Sequence, residues 1–71
     1  MNDVERIARF VVFCLEAYRR AEGLSGRVVA ERFVLCGVPS YLRDGYDILH
    51  TLGEAALVDD IRAYLRAHPT P

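Results

Sequence analysis

Residues 46–54, reading YDILHTLGE, gather a tyrosine, an aspartate, one of the chain's two histidines, a threonine and a glutamate. Such groups do general acid–base chemistry when a histidine or carboxylate stands within hydrogen-bond reach of the proton to be moved. Tyr46 and Asp47 would form an acid–base pair on paper. Neighbouring residues on a helix diverge, however, and no serine or cysteine nucleophile stands at a useful spacing. A catalytic His50 also needs an enclosing pocket, which a core of this size hardly provides.

A structural reading accounts for the same residues. Thr51-Leu52-Gly53-Glu54 fits a capping box, in which the threonine hydroxyl accepts the N–H three residues on and the glutamate reaches back. Gly53 then falls at the second helical position. His50 precedes the cap, in a corner between helices, where a ring nitrogen can bond a backbone carbonyl or a carboxylate such as Asp47. No catalytic, metal or cofactor residue is therefore assigned, and the chain is expected not to be an enzyme. His68, near the C-terminus, is expected to be solvated.

The elements that position this corner follow from periodicity. From Val4, apolar residues recur at Ile7, Phe10, Val11, Cys14, Leu15 and Tyr18, one helical face. Asn2 or Asp3 can cap this helix, Arg19 and Arg20 suit its negative end, and Gly23 can close it near Glu22. Val12 and Phe13 fall off the face. The helix is thus either central or meets a partner, and Val12 and Phe13 become candidate interaction residues.

Ser25 can cap a second helix carrying Val28, Val29, Phe33, Val34 and Leu35 and stopped by Gly37. A strand over residues 27–35 competes, but Ala30, Glu31 and Arg32 break the alternation. Pro39 or Ser40 opens a third helix that Asp44-Gly45 ends or kinks, and residues 46–49 add a turn or two. The last helix runs to about Ala67 on Leu57, Val58, Ile61, Tyr64 and Leu65, with Pro69 and Pro71 closing the chain. The expected fold is all-α, a small compact bundle of three main helices plus one short helix in one domain. Its expected core is Phe10, Cys14, Leu15, Phe33, Leu49, Leu57, Ile61 and Leu65.

Composition narrows the function. The 71 residues are 52% hydrophobic and 27% charged, a globular balance. Nine arginines and no lysine against ten acidic residues leave a charge of −1, no field to attract phosphate or an anionic membrane. The longest apolar run is far short of the roughly 20 residues that span a bilayer. With no basic leader after Met1, a cytoplasmic location is expected. Cys14 and Cys36 lack metal or redox spacing and read as reduced thiols.

FVVFCLEAY, LSGRVVAERF, GVPSYL, YDILHTLG and LVDDIRAYL together resemble the small bacterial proteins grouped as domain of unknown function 3791. The likeness spans nearly the whole chain, and YDILHTLG followed by VDDI is its most specific part. It implies a chain encoded beside a larger protein with an ADP-ribosyltransferase-like domain, as in toxin–antitoxin pairs. It also marks Tyr46, Asp47, Leu49, His50, Thr51 and Gly53 as motif positions, with Leu52 where a more polar residue is usual.

Two functions then compete beside a third, a small enzyme or metal protein using His50, Asp47 and Tyr46. One is a protein-interaction module binding a protein partner or a second copy through helix one and the His50 corner. The other is a helix-turn-helix DNA-binding protein, since residues 25–49 read helix, turn, helix. PSYLRDGYDIL offers one arginine against two aspartates to a polyanion, so nucleic acid is the weaker expectation.

Overall fold

Twenty consecutive residues with apolar side chains every three or four positions form α1, Asp3–Glu22, in the computed structural model, which describes residues 2–69. Of the two proposed caps Asn2 acts: its Oδ1 accepts the Glu5 N–H at 2.8 Å, satisfying one donor orphaned at the helix start. Gly23 closes α1 at φ 67°, a left-handed conformation that a Cβ would penalise. Pro71 lies outside the described residues.

α2, Gly26–Cys36, is helical rather than extended, with the Ser25 Oγ accepting the Val28 N–H at 3.2 Å. Gly37, at φ 74°, ends α2 and leads directly into α3, Val38–Asp44. The single turn α4, Tyr46–Leu49, follows Gly45, and α5, Glu54–Ala67, closes the order. Among the described residues the bundle therefore has four helices of seven residues or more and one of four, not three and one. The difference lies at Gly45. There the chain bends between α3 and α4, and seven residues of α3 are enough to carry a buried face of their own.

α1 packs against α2, α3 and α5, and α3 also meets α2, α4 and α5. The core contains Cys14 and Tyr18 from α1, Val29 and Phe33 from α2, Val38 and Leu42 from α3, Leu49 from α4, and Leu57 and Ile61 from α5. Burial of each large apolar side chain contributes about 1.5–3 kcal/mol, so this shared cluster is the main force joining the helices. Phe10, Leu15 and Leu65, expected inside, sit half-buried at its edge. Ala17, Tyr18, Val29, Val38, Leu42 and Val58 are buried beyond the expected set. The third helix, short and proline-bearing, thus contributes more to the core than its length suggested.

Polar groups join the helices at the rim. The Arg62 Nε lies 2.7 Å from the Glu22 Oε1 and the Arg20 Nη2 lies 3.5 Å from the Glu54 Oε1, each pair linking α1 to α5. Tyr64 donates its hydroxyl to the Cys36 carbonyl at 3.0 Å, holding α5 against the end of α2.

Candidate functional site

The sequence corner is a real place in the fold. α4 sets the Tyr46 ring edge-on against Phe10 of α1, with centroids 5.3 Å apart and planes at 85°. The His50 ring lies nearly parallel on Tyr46, at 4.5 Å and 7°. Its Nδ1 stands 2.6 Å from the Tyr46 carbonyl oxygen, which can only accept, so Nδ1 carries the proton and donates. The expected bond of His50 is therefore to a backbone carbonyl one turn back and not to Asp47, which is exposed.

The same arrangement recurs at the end of α5. His68 stacks on Tyr64 at 4.1 Å and 16°, with Nδ1 3.0 Å from the Tyr64 carbonyl. Each histidine thus gives a second donor to a carbonyl that already accepts its own backbone N–H, near a helix C-terminus, where the negative dipole end favours donors. The Tyr-x-x-x-His spacing at 46–50 and 64–68 was the sequence signal for it. His68 is exposed, as expected.

The capping box does not form. The Thr51 Oγ1 donates to the Ile48 carbonyl at 2.6 Å, closing the turn behind it instead of opening the helix ahead. α5 begins only at Glu54, with Gly53 as its N-cap at φ −71° and ψ 166° and no side chain to accept a bond. Gly53 is therefore outside the helix rather than at its second position. Glu54 reaches Arg20 at 3.5 Å, not Thr51. A hydroxyl donates as readily as it accepts, and the Ile48 carbonyl, which already accepts the Thr51 N–H, lies within its reach; the bond backward competes with the cap forward, so the four-residue pattern alone does not decide between them.

Between α1, α3 and α4 lies an open depression of about 290 Å³ lined by Asp3, Arg6, Arg43, Asp44, Asp47 and His50, among others. Four of its charges are paired at the surface, Arg6 with Asp3 at 3.9 Å and Arg43 with Asp44 at 3.3 Å, while Asp47 has no ion pair among the described residues. Among the described residues no three His, Cys, Asp or Glu side chains stand together as a metal cluster, and no buried side-chain polar atom lacks a hydrogen-bond partner.

The two other candidates lie elsewhere. Val12 and Phe13, on α1, are 61% and 44% exposed, so the bundle leaves them uncovered. α2 carries a second exposed apolar set that helix periodicity alone does not single out: Val28, Val34 and Leu35, the last two 73% and 64% exposed. Val34 and Leu35 border an apolar hollow with Ala30 and Glu31. The signal is the count, since Val28, Val29, Phe33, Val34 and Leu35 are five large apolar side chains in eleven residues, more than one buried face holds; Val29 and Phe33 take that face. Ile48, on the outer side of α4, is 75% exposed.

A second polar constellation escaped the sequence reading. Tyr41 of α3 donates its hydroxyl to the Asp60 Oδ2 of α5 at 2.5 Å and stacks on Tyr64 at 4.2 Å. The Asp60 carboxylate first, then burial, push the Tyr41 phenol up to about 12. Burial, assisted by the Asp60 charge, pushes the Cys14 thiol up from its ordinary 9.0 to about 12, which leaves it unreactive.

Fold and site together define a small all-helical bundle with a polar corner at α4 and uncovered apolar faces on α1 and α2. The chain belongs to the family described as protein of unknown function DUF3791, whose model matches residues 9–68. No curated protein and no solved structure matches it. Among the described residues no helix is long and apolar enough to cross a membrane.

Proposed function

We propose that this chain is a protein-interaction module without catalytic activity, the antitoxin-like or accessory partner of a larger protein with an ADP-ribosyltransferase-like domain. The observation that carries the reading is the surplus of exposed apolar surface: Val12 and Phe13 on α1, Val28, Val34 and Leu35 on α2, and Ile48 at the corner. Apolar surface left in water costs free energy that association recovers. The polar corner supports the same reading, because its ion pairs are solvated and His50 is engaged with its own helix turn.

Co-purification of the tagged full-length chain with the ADP-ribosyltransferase-like protein encoded beside it tests this. The expected result is a stoichiometric complex weakened by Phe13→Ser or His50→Ala, with the helical circular dichroism of both variants unchanged. Absence of a complex at micromolar concentrations of both proteins overturns the reading.

A further inference from the structure

The face of α1 turned away from the core has an ordered content. At 3.6 residues per turn, Glu5, Arg9, Val12, Phe13, Glu16 and Arg20 fall within an arc of about 100°. Cys14 and Tyr18, both buried, lie on the opposite side. Glu5, Arg9, Val12, Phe13 and Arg20 are exposed and Glu16 is half-exposed. Along the helix the stripe reads acid, base, apolar pair, acid, base. Reversed about the midpoint between Val12 and Phe13, it becomes its own complement: Glu5 faces Arg20, Arg9 faces Glu16, and Val12 faces Phe13.

We infer that α1 pairs with α1 of a second copy of this chain, antiparallel about a two-fold axis between Val12 and Phe13; this rests on the interaction-module reading and names one of its partners. In the dimer Val12 and Phe13 of both copies meet around the two-fold axis, and two Arg9–Glu16 contacts flank this apolar centre. Glu5 and Arg20 form the outer pairs. A parallel, in-register pairing sets each of the four charges against its own copy, which is repulsive, so the charge order selects direction as well as partner.

The monomer leaves these groups available. Among the described residues neither Glu5 nor Arg9 has an ion pair. Arg19 engages only Oε2 of Glu16, at 3.0 Å, so Oε1 can accept from Arg9 of the second copy. The outer pairs are weaker, because Arg20 also approaches its own Glu54 at 3.5 Å.

The apolar face of α2 does not have this property. Reversal about its centre sets Val28 against Val34 but brings Glu31 onto Glu31 of the other copy. A face one helix wide buries less than about 1,200 Å², so the α1 dimer is weak and dissociates on dilution. Each charge pair contributes direction more than strength, and the Val12–Phe13 centre supplies the attraction.

Sedimentation equilibrium of the full chain up to millimolar concentration, with charge-reversal variants, tests the geometry. Arg9→Glu and Glu16→Arg each turn two attractive contacts into two repulsive ones, so each alone is expected to weaken the dimer about tenfold or more. Mixed in equal amounts they form a heterodimer in which Glu at 9 meets Arg at 16 and the native pair survives on the other side. Wild-type affinity is expected to return in the mixture. Circular dichroism of each variant monitors the fold, and Phe13→Ser is expected to leave a folded monomer.

A wild type that stays monomeric at every concentration, or a mixture no tighter than either variant alone, overturns the inference. Neither result touches the proposed complex with the ADP-ribosyltransferase-like protein, which co-purification reads separately.

Discussion

The Tyr41 hydroxyl, on α3, donates to the Asp60 carboxylate, 19 residues further along on α5, at 2.5 Å. It is a charge-assisted bond at the edge of the core, and it fixes how the short, proline-bearing α3 sits against α5. Tyr41→Phe keeps the ring stacked on Tyr64 and removes only the donor. The expected loss is about 1–2 kcal/mol, less than for a fully buried pair because both side chains are partly exposed. Urea denaturation of the two proteins checks this. Equal midpoints would mean that Asp60 finds an equally good donor in water.

Alkaline pH should destabilise the protein through Tyr41 and Cys14. Both have folded-state pKa values raised to about 12, from ordinary values of 10.0 and 9.0. Native structure favours their protonated forms, so their contribution is whole below pH 9 and is lost as pH rises to about 12. The urea midpoint is therefore expected to fall across that window, and to fall less steeply at its upper end in Tyr41→Phe. A Cys14 thiol buried this way should also react with a thiol reagent only at the rate of unfolding.

Gly53 caps α5 with no side chain, in extended backbone, and a Cβ there would meet nothing within 4 Å. Gly53→Ser supplies the missing acceptor and is expected to raise stability by about 0.5 kcal/mol. Thr51→Ala removes only the bond to the Ile48 carbonyl and is expected to cost below about 1 kcal/mol. A larger cost for Thr51→Ala than gain for Gly53→Ser, with the α5 start frayed in amide exchange, would restore the capping box that the geometry excludes.

His50→Ala removes an exposed stack and one bond to the Tyr46 carbonyl. The expected cost is about 0.5–1 kcal/mol, with the fold retained. His68→Ala at the end of α5 should behave alike, because the two rings make the same contacts. Thermal melts of both variants check the equivalence, and a collapse confined to His50→Ala would assign that ring a packing role its exposure denies.

What the sequence by itself determined was local. Asn2, Ser25, Gly23 and Gly37 bound α1 and α2 through caps that depend on neighbours within four residues, and those boundaries were legible. Gly45 read as a stop or a kink for the same reason. The all-helical class followed from the periodicity of Val4–Tyr18 and Leu57–Leu65, and the uncovered pair Val12 and Phe13 from its excess.

Tertiary structure decided whatever depended on competition between partners far apart in the chain. Val28, Val34 and Leu35 are as apolar as Val29 and Phe33, and only the position of α1 and α3 determines which set is covered. Thr51 could have bonded forward or back, and the turn at α4 took its hydroxyl. Asp60 became the partner of Tyr41 because α3 packs beside α5, a contact no local spacing announces. Local propensity fixes where helices begin and end over a few residues, whereas burial and long-range pairing are settled by which faces the whole chain can cover at once.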